Sequence, residues 1–314
     1  MQSTVRTFLR HLARLLVLSL LWTAGPLQAA ETFRVATFNL NNYVDDPGAA
    51  RPLKTEASKA KIRESIRALR AEVIALQEMG SSQSLAELTQ SLKAEGMDYP
   101  HSEILFGSDT NIHLAVLSKF PITACHRLTN DTYLLMGRRM RVQRGFLEVQ
   151  FQVNPDYTFT AFIAHLKSRR QAAVADEAEM RLQEALLLRE KIDALLRTQP
   201  KANFLVMGDM NDVKDSPPIR TLLGRYKNAL LDTRPAEPNG DSQPSSNSRW
   251  DPPRITWTHY YAKEDTYSRF DYILASPGMA REWMPHETFV STVPNWGLAS
   301  DHRPIVAGFV AEDK

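Results

Sequence analysis

Apolar positions along the chain alternate between short continuous runs and longer stretches of helical period. Phe33 to Leu40 and Val73-Ile74-Ala75-Leu76 are short apolar runs of the kind that buried strands carry. Lys59 to Leu69 has helical spacing through Ile62, Ile66 and Leu69, and Leu85, Leu88 and Leu92 mark a second helix that stops near Gly96. Strand-like runs follow at Ile112 to Leu117, Phe146 to Val153 and Tyr157 to Ala164, and the turn Asn154-Pro155-Asp156 predicts a hairpin from the last two. From about Gln171 to Leu196, the residues Ala178, Leu182, Ala185, Leu188, Ile192 and Leu195 recur every three or four positions, which predicts one long helix ending before Pro200. Phe204 to Met207 reads as another buried strand. Ile255 to Tyr261, Arg269 to Ala275 and Pro304 to Val310 are strand-like too. Five prolines (Pro235, Pro238, Pro244, Pro252, Pro253) among Ser, Asn and Asp predict a surface loop over 234–254. No internal repeat and no composition shift divides residues 31–314, which read as a single domain of many strands and several helices.

The first 30 residues stand apart. Arg6, Arg10 and Arg14 precede the apolar stretch Leu15 to Trp22, a Gly25-Pro26 break and the small pair Ala29-Ala30, the layout of a secretory signal peptide. The apolar stretch is shorter than the roughly 20 residues a bilayer span needs, and no later stretch is better suited. The sequence therefore predicts a cleaved leader over 1–30 and a secreted or periplasmic protein with no stable membrane insertion. The leader also changes the charge picture. The chain carries 38 Lys and Arg against 36 Asp and Glu, but three of those arginines and none of the acids lie in the leader. Without it the balance is 35 against 36, a net charge of −1. Such a body has no general pull toward nucleic acid or anionic membrane. With 43% hydrophobic and 24% charged residues, disorder, collagen and coiled coil are excluded. The single cysteine, Cys125, excludes an intramolecular disulfide and a cysteine-based zinc site, and reads as an inert, buried or half-buried thiol.

Several familiar chemistries have no support. There is no G-x-S-x-G elbow, no Walker lysine loop, no G-x-G-x-x-G and no H-E-x-x-H. What the chain does have is a set of apolar runs that end in polar residues a core would not select. They end in Phe38-Asn39-Leu40-Asn41, Leu76-Gln77-Glu78, His165-Leu166-Lys167-Ser168 and Gly208-Asp209-Met210-Asn211-Asp212. Arg269-Phe270-Asp271-Tyr272 and Ser300-Asp301-His302-Arg303-Pro304 complete the set. Each alone is a common strand-to-turn signature. Together they place one Glu, several Asp and Asn, and two His at strand ends, which predicts one polar pocket at one rim of a sheet structure. Carboxylates and amides suit a hard cation such as Mg²⁺ or Mn²⁺. A cation with Asn donors suits a phosphate ester, and an Asp–His pair can hold an imidazolium against developing negative charge.

These motifs, with Leu117-Ser118-Lys119-Phe120-Pro121-Ile122, occur in order over residues 33–310 and resemble the endonuclease/exonuclease/phosphatase superfamily. The resemblance implies an α+β fold, a four-layer α/β/β/α sandwich of two packed mixed β-sheets flanked by helices, with the site at one edge. It implies Glu78 as principal metal ligand, Asn39 on the metal or the phosphate, and Asp301 at the metal side. Asp209 would orient the attacking water, Asn211 would donate to the phosphate and Asp271 would orient His302. His165 matches a histidine that contacts the phosphate or assists the leaving group, and Arg144 lies where some relatives place an arginine on the phosphate. Lys167, in the same motif as His165, joins the phosphate-binding candidates. Asn41 departs from the acid of the apurinic endonucleases, so no ligand role is carried over to it.

The implied activity is that of an exported, metal-dependent phosphoesterase acting as a monomer with Mg²⁺ or Mn²⁺. Two basic clusters, Arg138, Arg139, Arg141, Arg144 and Lys167, Arg169, Arg170, favour a nuclease with nucleic acid as partner. The alternative is a phosphatase or a phospholipase-C-like, sphingomyelinase-like hydrolase of a lipid or small phosphoester. It draws on the neutral body and on Trp250, Trp257, Tyr260, Tyr261, Trp283 and Trp296 as candidates for base stacking or lipid contact.

Overall fold

A computed structural model describes residues 31–46, 52–238 and 254–314. The predicted leader (1–30), Trp250 and most of the predicted 234–254 loop lie outside them. In chain order the elements are β1 (Thr32–Tyr43), α1 (Glu56–Leu69), β2 (Val73–Met79), α2 (Ser82–Ala94), β3 (His101–Leu105) and β4 (His113–Ser118). Next come β5 (Ile122–Leu128), β6 (Thr132–Leu135), β7 (Arg138–Arg141), β8 (Phe146–Asn154), β9 (Tyr157–His165), α3 (Glu177–Thr198), β10 (Phe204–Asp209) and α4 (Pro217–Leu223). The remainder are β11 (Leu231–Asp232), β12 (His259–Tyr261), β13 (Thr266–Ser268), β14 (Asp271–Ala275), β15 (Trp283–Val290) and β16 (Ile305–Val310).

Two six-stranded mixed sheets result. One has the order β15-β16-β1-β2-β4-β3 and the other β11-β14-β10-β9-β8-β5. Each contains one parallel pair, β1 with β2 and β9 with β10. The central strands are buried on both faces, which is why they read as continuous apolar runs rather than as alternations. On β1, Phe33 and Val35 enter the core between the sheets, while Ala36, Phe38 and Leu40 pack with α1 and α2. The second sheet repeats this with α3 and α4, whose Leu188, Ile192, Ile219 and Leu222 cover Phe162, Phe204, Val206 and Leu274. Between the sheets Phe33 stacks on Phe159, and Phe159 on Phe151, each with ring centres 5.1 Å apart. This is the α/β/β/α sandwich that the resemblance implies.

The inter-sheet face changes character at one edge. The face of β1 that carries Phe33 and Val35 continues to Thr37 and Asn39, and that of β2 runs from Val73 and Ala75 to Gln77. Ile163 of β9 gives way to His165, Met207 of β10 to Asp209, and Ile273 of β14 to Asp271. A period of two therefore aims six polar side chains from five strands into the end of the sandwich.

Several boundaries differ from the sequence reading. The long helix begins at Glu177, not near Gln171, because Asp176 caps it through Ala178 and Glu179 N–H groups at 2.8 and 3.3 Å. Its buried stripe holds the charged residues Arg181, Glu184 and Arg189, whereas Ala178 is exposed; an apolar period does not see buried charge. Only His259–Tyr261 of the Ile255–Tyr261 run is strand, paired in a small ribbon with β13. The apolar runs do not predict the strands β3, β5, β6, β7, β11, β13 and β15. They lie at sheet edges or in ribbons, where half-exposure weakens the apolar signal. Cys125 is half-buried, and burial pushes its thiol pKa up, as expected of an inert thiol.

Candidate active site

Backbone geometry sets the site before any side chain does. Gly208 has a φ of 137°, and a Cβ there would stand 2.0 Å from the Ala164 carbonyl oxygen on the neighbouring strand. Only glycine lets β10 and β9 approach at this level, and Asp209 follows directly. Asn41, Asn42, Glu78 and Asn211 all have positive φ, between 48° and 62°. Asn tolerates this region, but a glutamate there is strained, and such strain concentrates at functional sites. Side chains hold the turns: the Asn41 N–H donates to Asn39 Oδ1 at 2.9 Å and the Asn42 N–H to Glu78 Oε2 at 3.0 Å.

Asp209 is the centre. Asn39 Nδ2 donates to its Oδ2 at 2.9 Å across the sandwich, and the Asn211 N–H donates to its Oδ1 at 2.8 Å. Two imidazoles face the same carboxylate, His165 Nε2 at 3.5 Å and His302 Nε2 at 3.7 Å. His302 is oriented from behind by Asp271, whose Oδ2 is 2.8 Å from Nδ1. Ser300 locks the last turn in place by donating to the Asn39 carbonyl at 2.8 Å while accepting the His302 N–H at 3.0 Å. Asn211 Nδ2 donates to the Leu166 carbonyl at 3.0 Å.

Burial drives the charge states. It pushes the pKa of Asp209 up, against the opposing pull of the His302 charge. Burial alone would lower that of His302, but the negative charges of Asp271 and then Asp209 outweigh it and raise the pKa well above the ordinary histidine range. His302 is therefore an imidazolium at neutral pH, clamped between two carboxylates. The second oxygen of Asp271 is buried without a hydrogen-bond partner, so its charge is directed at His302.

The structure brings Asn39, His165, Asp209, Asn211, Asp271 and His302 together. Glu78 and Asp301 join them at the rim, where burial lowers the pKa of Lys54 to about 8 despite the opposing charges of Asp301 and Glu78. Arg144 and Lys167 are placed differently. Arg144 is buried and gives Nη1 to the Leu166 carbonyl at 3.2 Å, and the Lys167 ammonium donates into the 168–170 turn. Both hydrogen-bond within the segment that follows His165.

Three residues escaped the sequence reading. Lys54 Nζ donates to the Ala299 carbonyl at 2.8 Å. Thr258 Oγ1 accepts the Phe270 and Asp271 N–H groups at 3.1 and 3.2 Å. His259 lies 4.6 Å from the His302 ring, centre to centre, with Nε2 3.8 Å from Asp301 Oδ2. All three lie outside the strand-end motifs; the only signal was the Trp257-Thr258-His259 run just ahead of the Asp271 strand.

The donor set fits a divalent cation. Glu78, Asn39 and Asp301 offer hard oxygen ligands; His259 and Asp301, whose ligand atoms lie within 4.8 Å of each other, stand beside them, while His302, close to both, is occupied by Asp271 and Asp209.

The fold and this carboxylate–imidazole edge define a phosphoester-hydrolase architecture. The profile of the endonuclease/exonuclease/phosphatase family matches residues 36–302, and the chain belongs to that family, whose members hydrolyse phosphoester bonds and generally use a divalent metal. A comparison with curated proteins gave no match. Solved structures share the fold. A truncated TDP2 of Caenorhabditis elegans is 15% identical with a TM-score of 0.59, covering 89% of this chain and 98% of that one. Sphingomyelinase C of Streptomyces griseocarneus is 19% identical at 0.56, covering 89% and 99%. The human nocturnin catalytic domain, with bound sulfate, is 16% identical at 0.59, covering 90% and 95%.

Proposed function

We propose that this protein is an exported, divalent-metal-dependent nuclease that acts as a monomer. The observation that carries the hydrolytic part is Asp209, a buried carboxylate fixed by two asparagines and faced by two histidines. In this reading Asp209 orients a water and takes its proton as the water oxygen bonds to phosphorus. The phosphorus–oxygen bond to the leaving alcohol breaks, and the leaving oxygen is protonated from His165 or solvent. His302, held charged by Asp271, faces the negative charge that develops on the phosphoryl oxygens, and Asn211 donates to them. A bound Mg²⁺ or Mn²⁺, held by Glu78, Asn39 and Asp301, would neutralise phosphate charge. Arg169, over the Phe270 ring at 5.7 Å, and the exposed Arg138, Arg139 and Arg141 supply cationic surface for a nucleic-acid backbone.

A second reading has its own observation. Beside His259 lies an aromatic cluster in which Trp257 sits 5.4 Å from Trp296 and 4.8 Å from Tyr267, with Tyr260 stacked on Tyr267 at 4.7 Å. Such a surface suits a lipid phosphoester. Cleavage of supercoiled plasmid by residues 31–314 with Mg²⁺, with EDTA and His302→Ala as controls, separates the two. Nicking that needs metal and His302 supports the nuclease; an intact plasmid with release of phosphocholine from sphingomyelin supports the lipid enzyme. Export is tested by the N-terminal sequence of the mature protein, expected to begin after Ala29 or Ala30.

A further inference from the structure

On the outer face of the second sheet, away from the catalytic edge, the C-terminal half of α3 and the segment after α4 enclose a cleft of about 570 Å³. Four arginines line it, Arg189, Arg197, Arg220 and Arg225, with Asp193 as the only acid. Arg189 is committed to the fold. It is buried, pairs with Asp193 at 2.7 Å, and donates to the Leu222 and Asn228 carbonyls at 2.9 and 2.8 Å. Gly224 yields room for it, since a Cβ there would stand 2.3 Å from the guanidinium.

The other three are not so used. Arg197, Arg220 and Arg225 are exposed, and none has a carboxylate partner among the described residues; Arg220 only gives Nε to the Asp215 carbonyl. Three uncompensated guanidiniums at one cleft repel one another and are relieved by an anion. Tyr226, between the lining residues Arg225 and Asn228, adds an independent feature. It is 92% exposed, the most exposed aromatic among the described residues, and its φ of 58° is disfavoured for a non-glycine residue. An inorganic anion has no use for this ring, whereas a nucleobase has a face to stack on it.

We propose that this cleft is a second contact zone for a single-stranded nucleic acid, with Arg197, Arg220 and Arg225 on the backbone phosphates and Tyr226 under a base. The proposal rests on the nuclease reading and extends it. The start of α3 adjoins the catalytic edge, where Arg181 donates to Asp212 at 2.9 Å and to the Lys167 carbonyl at 3.0 Å. At about 1.5 Å per residue, Arg189 lies about 12 Å and Arg197 about 24 Å further along that helix. A strand engaged at both places would be held a few nucleotides from the bond that is cut.

The test is fluorescence anisotropy with labelled oligo(dT) of about 20 nucleotides, a length chosen to exceed that span, in EDTA to stop cleavage and at several salt concentrations. Wild type, the triple variant Arg197→Ala/Arg220→Ala/Arg225→Ala and Tyr226→Ala are compared. Each phosphate contact contributes about 0.7 to the log–log salt slope, so the triple variant should lose about 2. Tyr226→Ala should weaken binding about 5- to 150-fold with the slope kept. Hydrolysis of bis(para-nitrophenyl) phosphate with Mg²⁺ should be equal in all three, which shows that the fold and the catalytic edge are intact. A wild-type slope in the triple variant overturns the cleft alone. Wild-type protein that hydrolyses the small diester but binds no oligo(dT) overturns the nucleic-acid reading together with it.

Discussion

Glu184 offers a quantitative test of how the catalytic edge is supported. It lies fully buried on α3 and accepts the Lys167 N–H at 2.6 Å, holding the chain two residues beyond His165. Burial is the largest influence on it and raises its pKa from 4.5 to about 7, although Arg144, Lys167 and Arg181 pull the other way. The folded state therefore holds this proton more tightly than the unfolded chain. Its contribution to stability is fully present below the unfolded pKa of 4.5 and is lost as pH rises through about 7. A shift of that size corresponds to about 3 kcal/mol at 1.36 kcal/mol per pKa unit. Glu184→Gln keeps an acceptor for the Lys167 N–H and removes the titration. Urea unfolding of wild type and variant at about pH 5 and about pH 8.5 measures the effect, since every other titrating group, Glu282 included, cancels in the difference. Because pH 5 already lies above the unfolded pKa of 4.5, the variant should gain about 2.5 kcal/mol on wild type between the two pH values. Parallel pH dependence in the two proteins would refute the reasoning and show that the three cations around Glu184 compensate its burial.

Three further outcomes are expected. His302→Ala or Asp209→Asn should lower turnover by roughly 10²–10⁴-fold, the usual size of a lost acid–base group, with little change in the circular dichroism spectrum. Glu78→Gln should move the metal-activation midpoint to higher Mg²⁺ or Mn²⁺; an unchanged titration removes Glu78 from the ligand set. Gly208→Ala should cost at least about 1–3 kcal/mol in urea unfolding, because its Cβ would meet the Ala164 carbonyl, and wild-type stability there would mean that β9 and β10 can separate without cost.

The fold class was legible in the sequence, and the structure gathers most of the candidate polar residues at one edge of it. Asn39, His165, Asp209 and Asp271 stood out because each continues the inter-sheet face of an apolar strand, where a polar residue has to be explained. Residues that act from loops, such as Lys54 and Thr258, carried no such signal, since polar residues are unremarkable there. Arg144 and Lys167, phosphate candidates by their place in the resemblance, make hydrogen bonds within the segment after His165, which no sequence pattern announces. Charge in a sequence says nothing of whether a side chain faces substrate or braces the backbone behind it. For the same reason the buried stripe of α3 was misjudged at Arg181, Glu184 and Arg189.

The bond from Asn39 to Asp209 and that from Ser300 to the Asn39 carbonyl tie segments 170 and 261 residues apart in the chain. Asn39 is translated early, Asp209 midway and His302 late, and β16, which pairs with β1, follows His302 directly. A nascent or truncated polypeptide lacking residue 302 has neither the imidazolium nor the strand that completes the first sheet. The carboxylate–imidazole edge is thus complete only once the chain has been made through His302 and β16.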